Sequence, residues 1–194
     1  MTIKSSVDTV RDSLVESARL KQWLAEHAAA EIARAAELVT ASLRNGGKVM
    51  FCGNGGSAAD SQHLAAELVG RYTRNGRALA AIALTTDSSA LTAIANDFAY
   101  EQVFSRQVEA LGKAGDVLVG ISTSGNSANV RQAVEQAKRM GIHTIGLLGG
   151  DGGAIGRVVD VALIVPSRET PRIQESHIAI GHIICELVEG VLRG

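Results

Sequence analysis

Two stretches near the start of the chain place apolar residues at helical spacing before any strand-like segment appears. The first contains Val7, Val10, Leu14, Ala18 and Leu24, and the second contains Ile32, Ala35, Leu38, Val39 and Leu43. The second stretch runs into Asn45, Gly46 and Gly47, residue types that commonly end a helix. The pattern predicts two amphipathic helices within residues 1–46, ahead of the first strand.

Five short and nearly continuous apolar runs follow, separated by amphipathic segments of helical length. The runs cover 48–52, 79–84, 116–121, 143–148 and 161–165, and the helical segments cover 57–74, 88–111 with a break near Asn96 and Asp97, 127–140 and 170–192. Strands without polar alternation are typical of parallel sheets with helices on both faces. We therefore predict an α/β three-layer sandwich with a five-stranded parallel sheet, to which the N-terminal helices are added.

Length and charge narrow the possible ligands. The 194 residues suit one domain, and no Pro/Gly/Ser-rich linker divides them, so residues 1–194 are expected to form a single domain. Nineteen Lys and Arg residues against twenty Asp and Glu residues give a net charge of -1, which leaves no basic surface for nucleic acid or an anionic membrane. We expect a small molecule or another protein as partner.

The cysteines and the apolar segments bear on the compartment. Cys52 and Cys185 lie in a predicted strand and a predicted helix, and we expect two reduced thiols in the core, as in a reducing cytoplasm. The N-terminus lacks the apolar segment of a secretion signal. Three polar residues, His182, Glu186 and Glu189, interrupt the apolar segment 178–192, which favours a buried helix over a membrane span. A cytoplasmic protein is expected.

Two loops rich in Gly and hydroxyl residues each follow a predicted strand and precede a predicted helix. The first loop, residues 53–57, follows Cys52 with the sequence GNGGS, and the second loop, residues 122–127, reads STSGNS. Ser57 and Ser127 are placed to cap the two helices. Backbone N–H groups at helix N-termini bind anions, and ligands of open α/β sheets bind at the carboxyl ends of the strands. The pair of loops therefore predicts a phosphate-binding site.

The first loop also matches a dinucleotide-binding fingerprint, because Gly53, Gly55 and Ala58 have the spacing G-x-G-x-x-A. That fingerprint expects an acidic residue about 20 residues further on, at the end of the second strand. The second predicted strand ends near Leu84 and the first acid after it is Asp87. This distance disfavours a nicotinamide enzyme.

Two predicted helices carry residues suited to a metal. His63 and Glu67 are four residues apart, so both side chains leave the same face of the helix that follows the first loop. In the terminal helix, Gln174, Glu175, His177 and His182 interrupt an apolar face. Gln174 and Glu175 both align with His182, and spacing alone does not choose between them. His177 reads as a histidine satisfied within the core.

Four segments together resemble one family. CGNGGSAADSQHLAAEL, ALTTDSSALTAIANDF, GDVLVGISTSGNSANV and PRIQESHIAIGHI resemble, in order and in separation, sequence blocks of the sugar isomerase (SIS) fold, and within it of the bacterial phosphoheptose isomerases. The resemblance implies a zinc-assisted conversion of sedoheptulose 7-phosphate to D-glycero-D-manno-heptose 7-phosphate through an enediolate. This reaction is the first step toward activated heptose and the lipopolysaccharide core.

The resemblance also implies which residues form the site. The zinc ligands would be His63, Glu67, Gln174 and His182, with Glu67 as the catalytic base and His182 as the acid. The substrate-binding residues would be Asn54, Gly55, Gly56, Asn96, Asp97, Ser122, Thr123, Ser124, Ser127 and Gln174, and we add Ser57 because of its predicted cap. Pro171 stands where some relatives carry an acid that has been proposed to assist catalysis, and Glu169 is a weak substitute for it.

The main alternative is a non-catalytic protein of the same fold, similar to the bacterial factor that associates with the replication initiator. That factor shares the phosphate-binding loops but has other residues at the positions of Glu67 and His182, both of which are present here. The resemblance to the isomerases further implies a homotetramer, and residues 1–46 are expected to pack on the sheet and on partner subunits.

Overall fold

The computed structural model describes residues 5–194. Eight α-helices and five strands follow one another along this part of the chain. They are α1 (Ser6–His27), α2 (Ala29–Arg44), β1 (Val49–Gly53), α3 (Gly56–Val69), β2 (Ala81–Ala83), α4 (Ser88–Asp97), α5 (Ser105–Leu111), β3 (Val117–Ser122), α6 (Ala128–Arg139), β4 (His143–Gly149), α7 (Gly153–Gly156), β5 (Val161–Val165) and α8 (Thr170–Leu192). A 3₁₀ turn, Tyr100–Gln102, lies between α4 and α5.

The five strands form one parallel sheet in the order β2-β1-β3-β4-β5. The chain leaves β1 toward one edge of the sheet and leaves β3 toward the other, so the strand order reverses between these two neighbours. Gly53, the last residue of β1, pairs with Ile121 near the end of β3. Both loops therefore start side by side at the carboxyl edge, at the crevice where such sheets bind ligands.

Alternation along the strands divides the core into two layers. Val49 and Phe51 of β1 face one cluster, which includes buried residues of α1, α2, α3 and α8, whereas Met50 and Cys52 face a second cluster with α5 and α6. Buried apolar residues on both sheet faces confirm the predicted α/β sandwich. Placing α3 and α8 on the same face also brings His63 and His182 together.

Some predicted boundaries were wrong. The helix predicted over 57–74 ends at Val69, because the N–H groups of residues 72–74 donate to Glu189 and not to carbonyls one turn back. By contrast, the break predicted near Asn96 and Asp97 is confirmed, because the segment 88–111 divides just after Asp97 into α4, the 3₁₀ turn and α5. The strand predicted over 79–84 is reduced to three residues at the sheet edge, and the short α7 was not predicted.

None of the helices within residues 5–194 is both long and apolar enough to cross a bilayer.

Candidate functional site

The first loop turns sharply into α3. Gly55 adopts φ 56° and ψ -121°, a conformation that L side chains rarely adopt. It is the N-cap residue of α3, so the helix starts at Gly56. The prediction that Ser57 caps this helix was wrong, because the glycine turn places the N-cap at Gly55, two residues earlier than predicted. Ser57 lies in the first helical turn and is 3% exposed, and the capping argument for including it in the site no longer holds.

The second loop forms a compact group of hydroxyls. Ser122 Oγ lies 2.9 Å from Ser127 Oγ and 3.5 Å from Ser124 Oγ. Ser127 is the N-cap residue of α6, as predicted, but its side chain makes no capping hydrogen bond and contacts Ser122 instead. Thr123 is partly buried and Ser124 is exposed. The loop thus presents hydroxyls and the N-terminus of α6 at one place, an arrangement suited to phosphate oxygens.

Side-chain amides connect the two loops. Asn54 in the first loop exchanges two hydrogen bonds with Asn129 of α6, at 2.9 and 2.8 Å. Tyr100 in the 3₁₀ turn donates its hydroxyl hydrogen to Asn54 Oδ1 at 3.0 Å. The sequence reasoning missed Asn129 and Tyr100. Both residues lie outside the two predicted loops, and no local pattern in the sequence marks them.

Three of the predicted metal ligands converge between α3 and α8. His63 Nε2 lies 3.0 Å from Glu67 Oε1 and 3.3 Å from His182 Nε2. All three ligand atoms lie within 4.8 Å of one another. The Tyr72 ring stacks on His182 with a centroid distance of 5.3 Å. Glu67 is partly buried, with 21% of its side chain exposed, and His63 is 47% exposed, so the group lies at the surface and a ligand can reach it.

Gln174 lies nearer the first loop than these three residues do. Helices α3 and α8 run side by side in the same direction, since Gln174 packs against Gly56, Gly181 against Leu64, and Glu189 against residues 72–74. His63 follows Gly56 by seven residues, which is about 10 Å along a helix. The Gln174 amide therefore lies between the loop and the His63 group, and its role as a ligand stays a prediction.

The other polar residues of α8 have separate roles. Glu175 pairs with Arg172 at 2.8 Å, and its other carboxylate oxygen is buried without a hydrogen-bond partner. His177 is fully buried and its Nε2 contacts the Leu148 carbonyl at 3.0 Å. Burial lowers the pKa of His177 to about 4, so this imidazole is neutral at pH 7, in accordance with a core role.

Asn96 and Asp97 lie together in the last turn of α4. The Asn96 amide donates to Asp97 Oδ1 at 2.8 Å, and both residues are exposed. The following 3₁₀ turn brings Tyr100 to Asn54 and so links this segment to the first loop. At the start of α8, Pro171 lies in the first turn and the exposed Glu169 is the N-cap residue without a side-chain cap bond.

Burial also sets the protonation of groups near the site. It raises the pKa of Asp60, on α3 one turn before His63, although the charge of His63 opposes the shift. One carboxylate oxygen of Asp60 is buried without a hydrogen-bond partner. Burial raises the pKa of both Cys52 and Cys185 to about 12, so neither is a thiolate at pH 7. The candidate metal ligands His63, Glu67 and His182 therefore offer nitrogen and oxygen atoms, with no thiolate among them.

Comparison with known proteins gives consistent results over nearly the whole chain. The family model described as the SIS domain matches residues 14–149. A phosphoheptose isomerase of Rhodospirillum rubrum is 60% identical over 161 residues, which cover 83% of this chain and 86% of the relative. One from a Nitratiruptor species is 53% identical and covers 94% of this chain and 98% of the relative.

Solved structures agree with these sequence relatives. The phosphoheptose isomerase of Neisseria gonorrhoeae superposes with a TM-score of 0.91 at 50% identity, over 96% of this chain and 100% of the other. That of Francisella tularensis gives a TM-score of 0.93 at 37% identity, with the same coverage. Fold and sequence similarity thus extend together across both loops and helices α3 and α8.

Proposed function

The chain belongs to the SIS-domain phosphoheptose isomerases, and we propose that it converts sedoheptulose 7-phosphate to D-glycero-D-manno-heptose 7-phosphate through an enediolate, with zinc bound. Its relatives are aldose-ketose isomerases. We place the reaction at the first step toward ADP- and GDP-activated heptose and the lipopolysaccharide core.

The convergence of His63, Glu67 and His182 beside the two loops carries this proposal. The loops provide hydroxyls and two helix N-termini for a phosphate, and the three side chains provide a carboxylate and two imidazoles for proton transfer. A heptose phosphate is long enough to have its phosphate at the loops and its first two carbons beside the helices. A binding protein needs only the loops, whereas an isomerase needs both parts.

The residues present fit zinc. Zinc accepts four ligands at about 2.0–2.2 Å in a tetrahedron, so neighbouring ligand atoms lie roughly 3.3 Å apart. The separations of 3.0 and 3.3 Å around His63 Nε2 agree with this spacing. His63, Glu67 and His182 would hold the ion, with Gln174 as the proposed fourth ligand. Bound there, zinc would act as a Lewis acid that stabilises negative charge on the substrate oxygens.

The protein's own residues would move the protons. Moving a carbonyl from C2 to C1 requires a base that takes a proton from one carbon and returns it to the other. We assign this step to Glu67, whose carboxylate is partly buried. His182 would donate and accept the proton of the carbonyl or ring oxygen. Tyr72 stacks on His182 and would hold its ring in place.

The loops would fix the substrate during this transfer. We propose that Ser122, Thr123, Ser124 and Ser127 bind the phosphate, and that the sugar contacts lie along the path from the loops to the metal site. The proposed sugar-contacting residues are Asn54, Gly55, Gly56, Asn96, Asp97 and Gln174. Ser57 is retained only as a backbone contributor, because its side chain is buried.

We propose a homotetramer in which neighbouring subunits complete each site, and two helices expose apolar residues that could lie in its contacts. On α1, Val7 and Leu14 are 65% and 66% exposed, and on α8, Ile183 and Val191 are 43% and 55% exposed. Apolar surface of this kind favours protein contacts. We infer one SIS domain over residues 1–194, with residues 1–46 packing on the sheet and on partner subunits, in the cytoplasm where its two thiols stay reduced.

The experiment that tests this function is conversion of sedoheptulose 7-phosphate by the purified protein, followed by NMR. We expect the aldose product to appear, and we expect Glu67→Gln to reduce kcat by a factor of about 10² or more with the fold retained. Turnover near the wild-type rate in Glu67→Gln would remove Glu67 from the mechanism. Substrate binding without any product would favour the non-catalytic scaffold.

A further inference from the structure

The amide pair between Asn54 and Asn129 joins segments 75 residues apart in the chain. Asn129 is the second residue of α6 and is only 3% exposed. Asn54 immediately precedes the N-cap residue of α3. Asn129 lies outside both predicted loops. Its side chain nevertheless links the start of α6 to the loop that precedes α3.

The surrounding hydrogen bonds fix which way each amide points. Asn129 Oδ1 accepts from the N–H of Val130 at 2.9 Å, so its NH₂ group faces Asn54. Asn54 Oδ1 accepts from both Asn129 and Tyr100, at 2.8 and 3.0 Å. Rotating either amide by 180° would set donor against donor or acceptor against acceptor in a partly buried place, which is unfavourable.

The fixed orientation of the Asn54 amide determines which hydrogen-bonding group it presents to a ligand. An amide nitrogen carries two N–H groups, and within residues 5–194 Asn54 donates one of them, to Asn129. The second N–H remains for a sugar oxygen. With the oxygen turned toward Asn129 and Tyr100, the group available to the ligand is a donor.

The Asn54 and Asn129 amides are uncharged, which suits their position between two helix N-termini. The N-termini of α3 and α6 carry partial positive charge and meet at the carboxyl edge of the sheet. A carboxylate between them would compete with a phosphate for that charge, whereas an amide leaves it available. An asparagine therefore links the two helices without weakening the anion site.

We propose that Asn129 is a positioning residue: it orients the Asn54 amide toward the sugar and couples the phosphate loop to the loop that contacts the sugar. The proposal rests on the proposed function, since it takes a phosphosugar as the ligand. Asn129 does not touch the ligand and acts through Asn54.

A double-mutant cycle tests this coupling. The dissociation constant for sedoheptulose 7-phosphate is measured by calorimetry on the chelated full-length protein, for wild type, Asn54→Ala, Asn129→Ala and the double variant. Losing one orienting hydrogen-bond pair is expected to weaken binding about tenfold in Asn129→Ala. In the Asn54→Ala background the same substitution should change binding by less than about twofold. Independent effects that multiply in the double variant would overturn the proposal.

Two further variants separate positioning from stability. Thr144→Val removes hydrogen bonds of a fully buried side chain to Asp160, at the start of β4 and away from both loops, so it should destabilise the protein without changing the dissociation constant. Asn129→Asp keeps the acceptor for Val130 but adds a negative charge, and should bind more weakly than Asn129→Ala. Equal weakening in Thr144→Val, or tighter binding in Asn129→Asp than in Asn129→Ala, would contradict the proposal.

The binding measurement also separates this inference from the proposed function. If wild type binds sedoheptulose 7-phosphate without converting it, the isomerase proposal fails and the cycle still applies. In the enzyme that turns over, Asn129→Ala should raise KM by the same factor of about ten and change kcat less. A fall in kcat with KM unchanged would contradict a positioning role in binding.

Discussion

Replacing Glu189 with glutamine should destabilise the protein strongly. The carboxylate is fully buried and accepts the backbone N–H groups of Tyr72, Thr73 and Arg74 at 2.9 Å each. The buried Arg193 guanidinium also contacts it. Glutamine has the same shape but offers one acceptor oxygen, and its NH₂ group would face donors. The segment after α3, including the ring that stacks on His182, would lose its anchor.

The pKa of Glu189 gives the size of the effect. Burial alone would raise this pKa, but the N–H groups of Thr73, Arg74 and Tyr72, together with Arg193, outweigh it and lower the pKa from 4.5 to about 2. That difference corresponds to about 3 kcal/mol of folding free energy. Because the folded pKa is lowered, this contribution is complete above about pH 4.5 and is lost as the pH falls toward 2.

Urea unfolding of wild type and Glu189→Gln at pH 7 measures the difference, at equal protein concentration because subunit assembly shifts the apparent stability. We expect Glu189→Gln to be less stable by about 3 kcal/mol at pH 7, and the gap to narrow below pH 4.5. Glu186→Gln, at an exposed position of the same helix, is the matched control and should change stability little. A loss below about 1 kcal/mol in Glu189→Gln, or a gap that does not depend on pH, would show that the buried carboxylate does not anchor residues 72–74.

Other predictions concern the loops, the metal site and the thiols. Gly125→Ala should cost about 1–3 kcal/mol in urea unfolding and weaken phosphosugar binding, because Gly125 has φ 66° and an added Cβ would meet the Gly152 carbonyl. Gly115→Ala, with φ 85° but open space, is its control and should leave binding unchanged. Tyr72→Leu should lower zinc affinity several-fold in competition with a chelator by freeing the His182 ring, and unchanged affinity would count against the stacking role. Cys52 and Cys185, with pKa values of about 12, should not react with a thiol reagent at pH 8 until the protein is unfolded, and rapid labelling of the native protein would contradict their burial.

The sheet was predictable because its signal is local. Val161–Val165 and the start of α8 occur where the apolar runs and Pro171 indicated them. An apolar run or a proline at a helix start can be recognised from residues that are neighbours in the sequence. The prediction that Ser57 caps α3 was wrong because it also used only local residue types. These do not reveal that the backbone at Gly55 turns into the helix earlier.

Long-range contacts of the site left no such signal. Glu189 reads in sequence only as a charge that interrupts an apolar helix, although in the fold it holds the chain after α3. The Asn54 and Asn129 amides are 75 residues apart and meet because β1 and β3 are neighbours in the sheet. Spacing predicted that His63 and Glu67 share a face, but the approach of His182 depends on how α8 packs against α3.

Removal and return of metal tests whether the His63, Glu67 and His182 group holds a catalytic ion. Purified protein is treated with a chelator, dialysed, and assayed by NMR with sedoheptulose 7-phosphate before and after zinc is restored, in parallel with a His63→Ala variant. We expect aldose product from the untreated protein, loss of activity on chelation, recovery with one equivalent of zinc per chain, and no recovery in His63→Ala. Full turnover after chelation would contradict the role of the His63, Glu67 and His182 site, and no aldose product under any metal condition would contradict isomerisation itself.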